Sequence, residues 1–257
     1  MRLFLLSLLS VALLPACTHL KPEIVDINGH AVEIVTAGEG ANTVVFEAGL
    51  DDDWANWDKV ANDIADDARV FAYSRPGYGR SDDATTPRDP AQIVEELREV
   101  LASQDVAPPY VLVGHSNGGT YMELFAKSHP EEVAALVMVD ARPKNFLAEC
   151  ERLGLDMCGI PDDALATQSE VVQAEYTAFA QAAEQITGEF GSYPVRVLTA
   201  TESPGASEAR IALWHSMHAD LADEAVDGEQ IVFEGAGHYL QVFRWHDVSE
   251  VIRSVLP

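Results

Sequence analysis

Basic residues are scarce in this chain. There are four lysines (Lys21, Lys59, Lys127, Lys144) and 16 lysines and arginines in all, against 42 aspartates and glutamates, for a formal charge of −26 over 257 residues. A polyanion of this kind repels nucleic acid and anionic membrane surfaces, so neither is expected as a partner, and self-repulsion favours a monomer. Cysteine is nearly missing too, with Cys17, Cys150 and Cys158 only. No cysteine cluster or His-x-x-x-His pair supplies metal-ligand spacing, so no metal or other cofactor is expected. No apolar run reaches the roughly 20 residues of a membrane-spanning helix. The apolar stretch at residues 3–14 falls short and is interrupted by Ser7 and Ser10. Internal repeats and low-complexity tracts are absent, which excludes a repeat architecture. A hydrophobic fraction of 47% and this length fit one large domain with a buried core.

The apolar stretch at residues 3–14 follows Met1-Arg2 and has the length of a signal-peptide core. Leu14-Pro15-Ala16-Cys17 then resembles the bacterial lipoprotein box. That resemblance implies a signal peptide over residues 1–16, a lipid on Cys17 as the mature N-terminus, and a site on the periplasmic side of a bacterial membrane. Attachment would be through the lipid alone, and Thr18 carries no aspartate-type retention signal. Secretion is the alternative. Cys150 and Cys158 lie close together in one segment and form a natural disulfide pair in an oxidising compartment.

From Lys21 onward strands alternate with helices, the pattern of a mostly parallel sheet covered on both faces. Residues 23–27 and 31–36 alternate about Asn28-Gly29, a tight-hairpin signal. Strands are predicted at 43–48, 70–74, 110–114, 133–140, 195–200 and 230–234. Helices are predicted at 54–67, at 90–103 behind Asp89 as cap, and at 118–128, 207–222 and 246–255. Residues 143–193 break the rhythm with helical pieces and no buried strand. An insertion there, just after Asp140, reads as a cap over the sheet edge within a single domain spanning 17–257.

Gly114-His115-Ser116-Asn117-Gly118, followed by Gly119, fits G-x-S-x-G between an apolar strand (Tyr110 to Val113) and a helical pattern (Tyr121, Leu124, Phe125). A serine on so sharp a strand-to-helix turn takes strained backbone angles, and glycine two residues either side relieves the crowding. Ser116 is therefore the candidate nucleophile, with a helix N-terminus behind it to favour negative charge.

With this elbow, Phe46-Glu47-Ala48-Gly49-Leu50, Ser74-Arg75-Pro76-Gly77-Tyr78-Gly79-Arg80-Ser81 and Gly235-Ala236-Gly237-His238 occur in order. The chain resembles the α/β-hydrolase superfamily, in the serine branch with an inserted cap, from residue 24 to the end. The resemblance implies an α/β-hydrolase fold with a helical cap inserted after the strand ending at Asp140. It also implies His238 as general base, and oxyanion donors at the N–H groups of Asn117 and Leu50. For the carboxylate that orients the base, Asp140 is the first choice, because it ends an apolar strand at the sheet edge of Ser116. Glu202, after the next strand, is the alternative. His115 is expected to point away and pack structurally, His215, His218 and His246 to sit on helix faces, and Asp51, Asp52 and Asp53 to be solvated or to cap a helix. Arg75 is expected to pair a buried carboxylate. Trp214, Phe146, Tyr176 and Phe179 are core residues or pocket lining.

Function follows as cleavage of an ester or related acyl bond in a small-molecule acyl substrate through an acyl-enzyme, with no cofactor. A proline-type aminopeptidase is the alternative within the family, and a non-catalytic binder of a small ligand the alternative outside enzymology. Relatives that open epoxides or remove halides carry aspartate at the nucleophile position, where this chain has Ser116.

Overall fold

The computed structural model describes residues 20–257; the expected signal peptide and Cys17 lie outside them. At the start, β1 (Glu23–Ile27) and β2 (His30–Ala37) pair antiparallel. Asn28 and Gly29 turn the hairpin at φ of 54° and 88°, the left-handed geometry a two-residue turn requires. Next come β3 (Thr43–Glu47), a 3-10 turn (Trp54–Trp57), α1 (Asp58–Ile64) and β4 (Arg69–Tyr73). The 54–67 helix thus divides and stops short. Asp53 caps the 3-10 turn by accepting from Ala55 N, and Asp66 and Asp67 would crowd carboxylates at the negative end of a longer helix.

The chain continues through α2 (Pro90–Ser103), β5 (Tyr110–His115), α3 (Asn117–Ser128) and β6 (Val133–Val139). At the head of α2, Asp89 accepts from Gln92 N at 3.3 Å and Pro90 fills the first turn, where no N–H is needed. The insertion after β6 holds only helices: α4 (Phe146–Arg152), α5 (Asp162–Leu165), α6 (Glu170–Ala178) and α7 (Ala182–Gln185). A Cys150–Cys158 disulfide with Cα atoms 5.6 Å apart closes its first segment. The chain ends with β7 (Pro194–Glu202), α8 (Glu208–Asp223), β8 (Asp227–Gly237), the unanticipated one-turn α9 (Leu240–Phe243), and α10 (Trp245–Ser254). β8 is more than twice the expected length. It is an edge strand with most side chains exposed, so hydrophobic pattern marks only its middle.

The eight strands run in the order β1-β2-β4-β3-β5-β6-β7-β8, antiparallel through β4 and parallel beyond it. This is the α/β-hydrolase fold. β3 and β5 are buried along their whole length, as inner strands of a doubly covered sheet must be. Alternate residues serve two cores: Val45 and Leu112 pack with Ile93, Leu97 and Phe125 on one face. Val44, Phe46, Val111 and Val113 pack with Trp57, Ile64, Val248 and Ile252 on the other. The chain leaves β3 toward β4, then returns across β3 to reach β5. Loops that leave two neighbouring strands in opposite directions open a crevice between them. Here those loops begin at Ala48 and at Ser116. Among the described residues no helix is long and apolar enough to cross a membrane.

Candidate active site

Ser116 stands at that crevice, between β5 and α3, at φ 52° and ψ −123°. This sparsely populated region costs about 1–3 kcal/mol for a residue with a side chain. The surroundings hold it there: Ser116 N donates to Val139 O at 3.2 Å, and Ser116 O accepts from Gly119 N and Arg142 N, each at 3.0 Å. The glycines are steric necessities. A Cβ on Gly114 would overlap the Gly118 peptide, one on Gly118 the carbonyls of Ala48 and Glu47, and one on Gly119 the side chain of Ala141.

Peptide planarity then aims two N–H groups. In a trans peptide the N–H points opposite to the preceding carbonyl. Ser116 O is drawn toward Gly119 and Arg142, so Asn117 N–H faces away from them, and as the first residue of α3 it has no partner within the helix. Gly49 O is held by Arg75 Nη2 at 2.7 Å and Ala48 O by Nη1 at 2.7 Å. Leu50 N–H therefore points away from Arg75. Leu50, Ser116, Asn117, Asp140 and His238 all line one cavity of about 540 Å3, within the rough 300–1,000 Å3 of small-molecule sites.

At the end of β6, Asp140 turns at φ 42° and is nearly buried. Its Oδ1 accepts from Ala200 N at 3.0 Å and from the Trp214 indole at 2.9 Å. Its Oδ2 lies 2.6 Å from His238 Nδ1. Burial pushes its carboxyl pKa up, but the His238 hydrogen bond and charge, the nearby His218 and the Ala200 N–H outweigh it, and the group sits below the ordinary aspartate range. A proton on His238 Nδ1 shared with this carboxylate leaves Nε2 as the lone-pair nitrogen. Glu202 lines the same cavity but is exposed at the end of β7 and makes no hydrogen bond to His238; Asp140, not Glu202, is the carboxylate against the imidazole.

His115 corrects an expectation. It is buried, yet it does not turn from the site: Nε2 donates to the His238 carbonyl at 3.0 Å, and Nδ1 lies 3.6 Å from Asp52 Oδ2. Asp52 is accordingly a cavity residue beside a buried imidazole rather than a solvated one. Burial holds His115 below the usual histidine pKa, with Asp52 opposing. His218 is fully buried on α8 and bridges Thr199 Oγ1 (2.9 Å) and Ala141 O (2.7 Å). The carbonyl needs a donor, so Nε2 carries the proton and the imidazole stays neutral, in keeping with a pKa lowered by burial. His215 meets Ala200 O at 3.1 Å, and His246 stacks on Trp245. Of the aromatics, Trp214, Phe146 and Tyr176 reach the cavity, whereas Phe179 belongs to the core.

Sequence reasoning passed over Arg142 and Arg210 and read Asp52 as solvated or a helix cap, whereas all three stand in the cavity wall. The scarcity of basic residues was the one signal that could have singled out the arginines. Away from the cavity, His129, Glu131 and Glu132 bring potential ligand atoms within 4.8 Å of one another. They follow the far end of α3, and His129 faces Glu95 while Glu132 faces Arg98, an arrangement of surface ion pairs.

Comparison with known proteins agrees with this geometry. A family model described as alpha/beta hydrolase fold matches residues 42–192. The uncharacterized protein YqjL of Bacillus subtilis (strain 168) is 26% identical over 220 residues, covering 84% of this chain and 82% of that protein. An uncharacterized protein of Schizosaccharomyces pombe (strain 972 / ATCC 24843), C23C11.06c, is 44% identical over 78 residues, 30% of this chain and 15% of that one. Among solved structures, epoxide hydrolase VrEH1 from Vigna radiata superposes with a TM-score of 0.70 at 18% identity, over 93% of this chain and 98% of that one, a likeness of fold. With more than half its length matched by the family model and the sheet, elbow and cap all in place, the chain belongs to the α/β-hydrolase superfamily.

Proposed function

We propose that the protein is a serine hydrolase that cleaves an ester or related acyl bond through an acyl-enzyme. Ser116 Oγ attacks the carbonyl carbon while His238 Nε2 takes the hydroxyl proton. The carbonyl oxygen becomes an oxyanion and accepts from the N–H groups of Leu50 and Asn117. Collapse of the tetrahedral intermediate breaks the bond to the leaving group, which departs with the proton from His238. A water then repeats the sequence on the acyl-enzyme and releases the acid. Asp140 keeps the proton on His238 Nδ1 and stabilises the imidazolium as it forms. The observation that carries this reading is the 2.6 Å contact between His238 Nδ1 and Asp140 Oδ2 in the cavity that Ser116 also lines.

A fluorophosphonate probe tests it. The folded protein should be labelled on Ser116 and Ser116→Ala should not. Absence of labelling on folded wild-type protein would overturn the reading in favour of a ligand-binding relative.

We also propose an exported protein held to a membrane by a lipid on Cys17. The disulfide supports this, since such bonds persist in oxidising compartments. Mass spectrometry of the mature N-terminus should find a diacylglyceryl-modified cysteine; an unmodified amine downstream of Cys17 would rule it out.

A further inference from the structure

In a chain of charge −26, most arginines have a carboxylate to meet. Arg75, Arg80, Arg88, Arg98, Arg152, Arg196, Arg244 and Arg253 all form salt bridges. Among the arginines of the described residues only Arg69, Arg142 and Arg210 have none. Two of these three, Arg142 and Arg210, line the cavity that contains Ser116 and His238.

Arg142 is anchored to the nucleophile itself. Its N–H donates to Ser116 O at 3.0 Å, and its carbonyl accepts from the Thr120 hydroxyl. Its guanidinium lies over Phe179 at 4.4 Å and Tyr176 at 5.1 Å. Aromatic faces satisfy the flat sides of a guanidinium and leave the N–H donors along its edge for an acceptor. Tyr176 is its one side-chain hydrogen-bond partner among the described residues, and no carboxylate there pairs with it. Burial depresses its pKa, and the groups opposing this are the phenols of Tyr176 and Tyr121, with no carboxylate among them. Arg210 stands over Phe146 at 5.1 Å and donates to Met157 O (2.8 Å) and Ser203 Oγ (3.0 Å), leaving Nη2 uncommitted.

The acidic groups of the same cavity do not cancel this. Asp140 is bound to His238, Trp214 and Ala200. Asp52 faces His115, and Glu202 is exposed. Within a cavity walled by protein a nearby guanidinium outweighs distant, screened surface carboxylates.

We propose that the substrate carries a carboxylate, which Arg142 binds beside the scissile carbonyl, with Arg210 adding positive potential. This rests on the serine hydrolase reading and adds its substrate class. The carboxylate can belong to the acyl half or to the leaving group, and paired substrates separate the two. For the acyl half, mono-para-nitrophenyl glutarate is compared with para-nitrophenyl valerate. For the leaving group, para-acetoxybenzoate is compared with phenyl acetate.

The quantity read is the ratio of kcat/KM for the charged ester to that for the neutral one, in wild type, Arg142→Gln, Arg142→Lys and Arg210→Gln. In at least one pair Arg142→Gln should lower the ratio by roughly tenfold or more, the size of a lost charge-assisted hydrogen bond. The loss should fall mainly in KM, Lys should restore part of it, and Arg210→Gln should lower it less. As a readout independent of turnover, glutarate monomethyl ester should raise the melting temperature of Ser116→Ala and fail to raise that of the Ser116→Ala, Arg142→Gln double variant. Equal ratios in wild type and the Arg142 variants, in both pairs, would overturn the inference. If fluorophosphonate still labels Ser116 in that case, the hydrolase reading survives and only the substrate class falls.

Discussion

Glu175 of the cap and Arg75 of the loop after β4 form an ion pair at 2.8 Å with both side chains essentially out of solvent. The same guanidinium meets Glu47 at 2.6 Å and holds the carbonyls of Ala48 and Gly49. Tyr121 donates to Glu175 at 3.1 Å and Tyr73 to Glu47 at 2.6 Å. Burial works against the cation, but the two carboxylates overcome it and raise its pKa well above the ordinary arginine value. One side chain therefore ties the cap to the loop that carries Leu50 N–H.

Removing that cation leaves Glu47 buried with no cationic partner and Glu175 with only the more distant Arg88, at 3.9 Å. Arg75→Met should lose about 3–5 kcal/mol of unfolding free energy, measured by urea titration. Turnover should fall as well, since the peptide that aims Leu50 N–H is released. Lysine should not restore it, because it lacks the fork that reaches two carboxylates and two carbonyls at once.

Asp140→Asn should keep the fold but cut kcat by roughly three to four orders of magnitude, the size seen when a base is left in the wrong tautomer. Glu202→Gln should stay within a few-fold of wild type. Steady-state kinetics on one ester decides between them. Full turnover in Asp140→Asn would remove Asp140 from the mechanism.

Stability should fall on acidification in two stages. His115 and His218 have pKa values depressed by burial, so the stability of keeping them neutral is complete above the ordinary histidine value of 6.5. It is lost as pH drops through their lowered folded values. Asp140 acts lower. Its contribution is complete above the ordinary aspartate value of 3.8 and disappears as pH falls through its depressed folded value. Unfolding free energy against pH should show the first limb flattened by His218→Gln and the second by Asp140→Asn.

Gly118→Ala should be costly despite its size. The added methyl would meet the backbone carbonyls of Glu47 and Ala48, which have no rotamer to change. A loss of about 1–3 kcal/mol is expected, with a larger fall in activity, because strand β3 and Ser116 must move apart.

Breaking the Cys150–Cys158 bridge with paired serines should alter KM more than the melting temperature. The closed loop is short, with a separation of 8 residues, so it restrains the unfolded chain less than a long loop would. Yet Met157, Cys158 and Gly159 form part of the cavity wall. Ester kinetics with and without the bridge would show the split.

What the sequence revealed was what short-range sterics impose. Asn28-Gly29 marks a left-handed turn, Asp89-Pro90 a helix start, and the glycines around Ser116 a crowded elbow. Each signal lies within a few residues of its effect. Pairings across the fold were harder. His238 and Asp140 are separated by 98 positions and Arg75 and Glu175 by 100. Spacing cannot choose among carboxylates that distant, so Asp140 and Glu202 stayed open until the sheet fixed both strand ends. Asp52 was hidden for another reason. It shares its segment with Asp51 and the capping Asp53, and only the course of the chain singles it out to face His115.

Trp214 has a use outside catalysis. Trp57 is sealed in the far core, and Trp54 and Trp245 pack against the same face. Trp214 alone among them borders the cavity, with its indole on Asp140 and its ring 6.3 Å from that of His238. Its fluorescence should therefore respond to protonation and occupancy of the site, against a background from Trp54 and Trp57 and from Trp245, whose stacked neighbour His246 makes it sensitive to pH but not to occupancy. Binding can be followed optically in the unlabelled protein, even in variants too slow to assay.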